Sequence, residues 1–189
     1  MKKGLLIVIS GPSAVGKDTI LRRLLEMDPK LRYSVSATTR PPRPGEIDGA
    51  NYTFVTREQF QRLVEEGSFL EHAEYAGNLY GTLGDRVAQA REAGYDIVLK
   101  IDVQGAEQVR QKIPDGVFIF VVPPSMQELE RRQTMRDSEA AEARAARRKI
   151  AEQEMAYSKH FDHIVVNDDV DRAAEEMFKI IQNARERQT

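Results

Sequence analysis

The segment from Gly11 to Lys17 carries the residue pattern best suited to chemistry in this sequence. It matches G-x-x-x-x-G-K, follows the short apolar run 5–9 and precedes a helical pattern that begins at Thr19. Glycines let backbone amides turn inward around an anion, a helix N-terminus adds its positive end, and the lysine adds a full charge. A strand before and a helix after are the context that this motif requires. We therefore predict a phosphate-binding loop made of Gly11, Pro12, Ser13, Ala14, Val15, Gly16 and Lys17.

The position after the loop lysine departs from the usual pattern. A hydroxyl residue normally stands there and ligates Mg²⁺, whereas this chain has Asp18 followed by Thr19. A carboxylate suits a hard cation, so Asp18 is a candidate metal ligand, either directly or through water. The alternative is that Asp18 only favours the first helical turn through the helix dipole. The residues alone leave both interpretations open.

A proline-rich turn forms a second candidate anion site. Residues 40–46 read R-P-P-R-P-G-E, and the prolines reduce the entropy lost when Arg40 and Arg43 are held in place. Guanidinium groups match phosphate oxygens two at a time. Tyr52 and Tyr80 can add hydroxyl donors. The alternative for this stretch alone is a solvated loop with ordinary surface arginines.

These candidate residues need elements that position them, and the apolar pattern indicates which. Short apolar runs typical of buried parallel strands alternate with helical stretches. This alternation predicts an α/β fold with a parallel sheet. The strand patterns are 5–9, 97–101, 117–122 and 164–166, and the helical patterns are 19–27 and about 104–112, 125–136 and 170–186.

Two segments interrupt the alternation. Residues 33–83 contain three closely spaced prolines, with strand patterns at 53–55 and 69–75 around a helix near 57–66, which predicts a small inserted α+β subdomain. Residues 134–159 are polar, rich in alanine and arginine, and show no continuous apolar face. We therefore expect an insertion and a polar segment beside the α/β core.

Composition narrows the classes of function. The chain has 189 residues, 41% hydrophobic and 31% charged, which predicts one folded domain. It has no cysteine, so disulfides, thiolate metal sites and cysteine nucleophiles are excluded, and its three histidines lack metal-ligand spacing.

No apolar run approaches the ~20 residues of a membrane span, and no signal peptide is visible, so we expect no membrane partner and a cytoplasmic protein. A net charge of −2 is not typical of nucleic-acid binders, and we expect this protein not to bind nucleic acid. Nothing in the residues specifies an oligomeric state.

Several further strings resemble the bacterial guanylate kinases across nearly the whole chain. They are S-V-S-A-T-T-R-P-P-R-P-G-E at 34–46, F-L-E-H-A at 69–73, G-N-L-Y-G-T at 77–82, I-D-V-Q-G-A at 101–106, P-P-S at 123–125 and V-N-D-D at 166–169. The string at 34–46 is the most specific. The resemblance implies a single phosphate-loop kinase domain. Its core would be 1–32, 84–124 and 163–189, its GMP-binding insertion 33–83 and its helical lid 125–162.

The resemblance implies the reaction ATP + GMP ⇌ ADP + GDP, with ATP as co-substrate, Mg²⁺ as cofactor, and GMP and ATP as the small-molecule partners. It implies that Arg40, Arg43, Tyr52 and Tyr80 hold the GMP phosphate. It also implies that Ser36, Glu71, Thr82 and Asp102 surround the guanine and that Glu46 organises this site.

The guanine assignment also makes chemical sense from the residue types. Guanine presents N1–H and N2–H₂ as donors and O6 as an acceptor. A carboxylate such as Glu71 can accept from both nitrogens, and a hydroxyl of Ser36 or Thr82 can donate to O6. Adenine has no N1–H and would leave a buried Glu71 unpaired. The alternative for Glu71 alone is a surface acid on an edge strand.

For the polar segment, the resemblance implies a mobile lid over ATP. It directs Arg132, Arg136 and Arg147 at the transferred phosphoryl group, so these arginines join Lys17 and Arg40 as candidate catalytic residues. The alternative is a solvated helix whose arginines pair with nearby glutamates. Asn167 matches a residue near the adenine, although an Asn-Asp-Asp turn is an equally good strand-to-helix connector. With the phosphate loop, Asp18 and Thr19, Asn167 completes the candidate ATP site.

Besides Asp18, the chain departs from the family at two places. The family's G-R-G around a lid arginine reads M-R-D at 135–137, and Lys100 stands where an acid is usual, two positions before Asp102. We expect Lys100 to neutralise Asp102 or Asp18, or to approach a phosphate. Two rival functions remain at this point: a ribose bisphosphate kinase of the same fold, and a guanylate-kinase-like module that binds phosphopeptides without catalysis.

Overall fold

The computed structural model of the protein describes the backbone of residues 2–136 and 141–188, and the side chains of that part other than those of 135–147. It contains nine strands and seven helices in the described part. They are β1 (Leu6–Ser10), α1 (Lys17–Met27), β2 (Leu31–Tyr33), β3 (Ala37–Thr38), β4 (Thr53–Phe54), α2 (Arg57–Glu65), β5 (Phe69–Tyr75), β6 (Asn78–Leu83), α3 (Gly84–Glu92), β7 (Asp96–Lys100), α4 (Val103–Lys112), β8 (Val117–Val122), α5 (Met126–Arg136), α6 (Ala141–Ala156), β9 (His163–Val166) and α7 (Val170–Arg187), with a 3₁₀ turn (Tyr157–His160) before β9.

The larger sheet is parallel throughout, in the order β2-β7-β1-β8-β9. β1 lies between its neighbours, with Val8 opposite Leu99 on β7 and Phe118 on β8. Every residue of β1 is buried, as expected for a strand covered on both faces. Because the strands run in one direction, the loops after β1 and β7 meet at the same edge of the sheet. This confirms the predicted α/β fold with a parallel sheet.

Apolar side chains pack on both faces of this sheet. Alternate residues of a strand point to opposite faces, so Ile7 and Ile9 join one cluster while Leu6 and Val8 join the other. The first cluster contains residues of α1 and α7, and the second contains residues of α3 and α4. The resulting layers of helix, sheet and helix fix the edge of the sheet where the loops meet.

A smaller sheet has the order β4-β3-β6-β5 and lies within residues 37–83. β3 pairs with β4 in parallel and with β6 antiparallel, and β5 and β6 form an antiparallel pair. Helix α2 starts with a capping box between Thr56 and Gln59, and its Phe60 stacks on Phe69 at 4.5 Å between ring centroids. With Ala37 these rings form a separate small core. The small sheet therefore has apolar packing of its own.

Element bounds differ from the sequence predictions where neighbours in space decide them. β8 has the predicted bounds 117–122, but α1 begins at Lys17 rather than Thr19, and β4 ends at Phe54 rather than Val55. The polar segment contains a helix, α6, although it carries no continuous apolar face. β2, β3, β6 and α3 were not predicted. Across the part of the chain that the structure describes, no helix is both long and apolar enough to cross a membrane.

Candidate active site

A cleft of about 1110 Å³ opens at the carboxyl edge of the parallel sheet. The phosphate loop, the start of α1 and the end of β7 form one side of it, and the turn at 40–46 and the end of β5 form another. The cleft thus brings the phosphate loop and the arginine-rich turn to one cavity. Of the predicted site residues, it is lined by Gly11, Ser13, Ala14, Val15, Gly16, Lys17, Asp18, Thr19, Ser36, Arg40, Arg43, Glu46, Tyr52, Glu71, Tyr80, Asp102 and Arg132.

Two glycines permit the path of the phosphate loop. Gly11 has φ 144° and Gly16 has φ 103°, both in the region that favours glycine. A Cβ on Gly11 would lie 2.4 Å from the carbonyl oxygen of Val121, and one on Gly16 would lie 2.2 Å from Nδ2 of Asn167. Since both distances are far below van der Waals contact, the loop can pack this closely on its neighbours only with glycine at these positions.

Lys17 folds back over its own loop. Its ammonium donates to the carbonyl oxygens of Gly11 and Pro12, the latter at 2.9 Å. Burial lowers the pKa of Lys17 to about 8, against the opposing effect of the nearby Glu154 carboxylate. The charge is therefore held inside the anion-binding loop, where a phosphate would stabilise it.

The rear of the phosphate loop is tied to distant parts of the chain. Asn167 is buried, and its Nδ2 donates to the Val15 carbonyl at 2.7 Å. Arg132 on α5 donates to the same carbonyl at 3.2 Å and also pairs with Glu128 at 2.8 Å. Gln133 donates to the Ser13 carbonyl at 3.2 Å. These contacts fix the backbone of the loop from behind.

Asp18 and Lys100 form an ion pair across the cleft. Asp18 lies in the first turn of α1 and Lys100 is the last residue of β7. Of the three roles that the sequence suggested for Lys100, neutralising Asp18 is the one for which the structure shows a contact. The side chain of Lys100 is 11% exposed and that of Asp18 is 69% exposed, so a buried cation meets a carboxylate that faces the solvent.

The arginine-rich turn is organised by Glu46. Its carboxylate accepts from Arg40 at 2.8 and 2.9 Å and from the backbone N–H of Arg43 at 2.7 Å. Arg40 also lies 5.4 Å from the ring centroid of Tyr52, which packs edge-on against Tyr80 at 5.9 Å. The turn and the two tyrosines therefore present cationic and hydroxyl groups as one preorganised set.

Glu71 lies at the inner end of the cleft. Its side chain is buried, and Oε1 accepts from the Thr82 hydroxyl at 2.6 Å. Burial raises the pKa of Glu71 to about 7, although the bond from Thr82 acts in the opposite direction. A Cβ on Gly105 would lie 2.4 Å from Oε2 of Glu71, so the glycine leaves room for this carboxylate. Ser36, also buried, lines the same region.

Asp102 has a local structural role in addition to its place in the cleft. Its carboxylate caps α4 by accepting from the Gly105 backbone N–H at 2.8 Å. Burial raises the pKa of Asp102 above its usual value, while the amide bonds act against that shift. The cap explains why the carboxylate is held at the end of β7.

Some predicted site residues lie behind the cleft wall, and others lie outside the residues that the structure describes. Within the described residues, Pro12, Thr82 and Asn167 do not line the cavity. Thr82 directs its hydroxyl hydrogen at Glu71, and Asn167 directs its amide at the phosphate loop. The side chains of Met135, Arg136 and Arg147, and all of Asp137, lie outside the described residues.

The cleft also contains residues that sequence reasoning missed. Tyr33, Tyr75, Gln133 and Glu154 line it. Burial raises the pKa of Tyr75 to about 12 and that of Glu154 to about 7, the latter opposed by Lys17. Oε2 of Glu154 is buried without a hydrogen-bond partner in the described part of the chain. Glu154 had no recognisable signal, because the polar segment around it shows no continuous apolar face in the sequence.

Comparison with known proteins identifies the family. The family model described as guanylate kinase matches residues 3–184. A guanylate kinase of Rubrobacter xylanophilus is 51% identical over 182 residues, which cover 96% of this chain and 95% of the relative. One of Desulfitobacterium hafniense is 50% identical, covering 94% of this chain and 89% of the relative. The crystal structure of guanylate kinase from Anaplasma phagocytophilum superposes with a TM-score of 0.82 at 35% identity, covering 96% of this chain and 86% of that one. The phosphate loop, the carboxylate-lined inner end of the cleft and this similarity over almost the whole length lead to one conclusion: the chain belongs to the guanylate kinase family.

Proposed function

We propose that this chain transfers the terminal phosphoryl group of ATP to GMP within the cleft, ATP + GMP ⇌ ADP + GDP. The observation that carries the proposal is that Lys17 in the phosphate loop and Glu71 at the inner end line one cavity. The first suits a donor triphosphate and the second suits a guanine with two N–H donors. The family to which the chain belongs has the same activity in its name.

On the donor side, residues 11–19 hold the ATP phosphates. Backbone amides of the loop and the N-terminus of α1 face the anion, and Lys17 contributes its charge. Asn167 acts by fixing the loop through Val15 rather than by lining the cavity. We assign residues 125–162, which include α5 and α6, to a lid over this side.

On the acceptor side, residues 33–83 form the GMP-binding insertion. Arg40, Arg43, Tyr52 and Tyr80 hold the phosphate, and Glu46 keeps Arg40 in position through its paired hydrogen bonds. The guanine lies against Ser36, Glu71 and Asp102, while Thr82 orients Glu71. A buried carboxylate that accepts from N1–H and N2–H₂ discriminates against adenine, which lacks those donors.

Catalysis in this cleft consists of positioning and charge stabilisation. Phosphoryl transfer spreads negative charge over the equatorial oxygens of the moving group, and little covalent chemistry is left for the protein. Lys17, Arg40 and the lid arginines Arg132, Arg136 and Arg147 supply the positive groups. A GMP phosphate dianion is already a nucleophile, so it requires no general base.

Mg²⁺ is the proposed cofactor, and the residues beside the phosphate loop fit it. Asp18 and Thr19 line the cleft and offer a carboxylate and a hydroxyl, the oxygen ligands that this cation prefers. When bound, Mg²⁺ would neutralise charge on the nucleotide phosphates. Asp18, in the first turn of α1, remains paired with Lys100.

An assay of ADP release with three acceptors tests this function. We expect ADP to form rapidly with GMP, slowly with AMP and not above background with a ribose bisphosphate. Preference for the ribose bisphosphate would identify the rival kinase. No turnover of any acceptor, with GMP still bound, would identify a non-catalytic binding module.

A further inference from the structure

Lys100 lies between the two halves of the cleft. Its ammonium pairs with Asp18 on the side of the phosphate loop. It also lies 5.3 Å from the ring centroid of Tyr52, on the side of the arginine-rich turn. Arg40 lies 5.4 Å from the same ring. Two cations from different elements therefore converge on one aromatic side chain next to the expected GMP phosphate.

The ion pair with Asp18 alone does not offset the cost of burying the Lys100 ammonium. The side chain is 11% exposed, yet its carboxylate partner is 69% exposed, and a pair with a solvated partner contributes little to stability. Burying an ammonium costs desolvation energy, which an incoming anion would offset. The ammonium also lies 5.7 Å from the ring centroid of Tyr33, so this cation is held among two aromatic rings and one carboxylate.

Lys100 also has donors to spare. An ammonium carries three N–H groups and is not a fixed fork, so it can hold Asp18 and a second acceptor together. Lys17 and Lys100 both line the cleft, Lys17 on the side proposed for ATP and Lys100 between that side and the arginine-rich turn.

We propose that Lys100 is a further catalytic residue, which contacts the GMP phosphate from the side of β7 while it stays paired with Asp18. It would add a third positive group around the acceptor phosphate, next to Arg40 and Arg43 of the arginine-rich turn. This inference rests on the proposed function. Lys100 stands at a position where the sequence comparison above gave an acid as usual. The proposed contact is therefore a property of this sequence and not of the phosphate loop.

Binding measured without ATP or magnesium tests the contact directly. We expect Lys100→Met to weaken GMP binding by about tenfold or more, as the loss of a charge-assisted hydrogen bond to phosphate does. Binding of guanosine, which has no phosphate, should stay within twofold of wild type. Lys100→Arg should retain most of the GMP affinity. Lys30→Met, the same change at an exposed lysine outside the cleft, is the matched control.

The outcomes separate this inference from the proposed function. If Lys100→Met binds GMP as tightly as wild type, or loses GMP and guanosine equally, Lys100 is not a phosphate contact. Lys100→Arg keeps the positive charge, so it tests the contact even if the methionine variant folds poorly. If Lys100→Arg binds GMP as weakly as Lys100→Met, the proposal is also contradicted. Failure of the proposed function would look different, because the wild-type protein would then not prefer GMP at all.

Discussion

Lys17 donates to carbonyl oxygens of its own loop, so its charge lies inside the phosphate site before any ligand arrives. We expect Lys17→Met to lower kcat by at least ~10²-fold, as the loss of a preorganised charge at a transition state typically does. GMP affinity should barely change, because the arginine-rich turn and Glu71 hold GMP separately. Steady-state kinetics and GMP titration of the same preparation check both statements. A variant within fivefold of wild-type kcat would contradict the role of Lys17.

Glu71 predicts a pH dependence of guanine binding. Burial raises the pKa of this carboxyl to about 7, and only the ionised carboxylate can accept from both guanine donors. Guanosine affinity should therefore be nearly full at pH 8 and above and fall as pH decreases, approaching tenfold per pH unit between about pH 6 and pH 5. Guanosine is the probe because it lacks a phosphate that titrates in this range.

The matched control for this pH profile is Glu71→Gln. This variant keeps the shape of the side chain but replaces one acceptor oxygen with an NH₂ group that faces guanine donors. Its guanosine affinity should be weak and independent of pH. A wild-type profile that is flat from pH 5 to 8 would show that Glu71 is not the group that binds guanine.

The residues of the site were predictable from sequence to the extent that their chemistry is local. The phosphate loop and the turn at 40–46 are continuous strings, and both line the cleft. Thr82 was predicted to lie beside the guanine, whereas in the structure its hydroxyl donates to Glu71. This contact depends on the register of β5 with β6, which places the two residues opposite each other. Glu154 and Tyr75 reach the cleft through packing of whole elements, which leaves no mark on neighbouring residues in the sequence.

At the scale of elements, one arginine links α7 to the parallel sheet. Arg185 pairs at 2.6 Å with Asp28, which follows α1, and at 2.6 Å with Asp96, the first residue of β7. Both carboxylates are buried. We expect Arg185→Met to lower the free energy of unfolding by about 3 kcal/mol, because it leaves two buried charges without this partner.

Urea denaturation at pH 7 measures this effect, with Arg187→Met as the control. Arg187 lies on the same last turn of α7 but is exposed, so its substitution should change stability by less than about 0.5 kcal/mol. Equal stability of the two variants would show that the cluster around Arg185 contributes nothing measurable.

Elements were predictable where one strand or helix carries its own apolar signal. β8 has six consecutive apolar residues and was found at its true bounds. β2 and β3 are only three and two residues long, and they exist because β7 and β6 pair with them. The apolar residues of α3 were too few to show helical periodicity, and its packing side is set by the sheet that it covers.

At the scale of the molecule, the cleft is bounded by parts that come from different segments of the chain. The turn at 40–46 belongs to the segment with its own small core, while Gln133 and Glu154 belong to the segment that we propose as a lid. We expect GMP together with a non-hydrolysable ATP analogue to slow hydrogen exchange in residues 33–83 and 148–160, as both close on the ligands. Strands β1 and β8 are the internal control, because they are buried already. Unchanged exchange in both segments would contradict closure.

Two expectations for the whole molecule remain predictions. One is a cytoplasmic location, which we expect because the sequence shows no membrane-length apolar run and no signal peptide. The other is that no nucleic acid is bound, which we expect from the net charge of −2.

The bond between Asn167 and Val15 has a consequence for how the protein is made. These residues are 152 positions apart, so a ribosome releases the phosphate loop long before the side chain that fixes it. The strands on either side of β1, β7 and β8, are also synthesised later than β1 itself. The small sheet, by contrast, pairs strands that are all available once residue 83 has emerged. Because nascent segments fold as their partners emerge, the part assigned to GMP can assemble early in translation, whereas the ATP side acquires its shape only when the last quarter of the chain has left the exit tunnel.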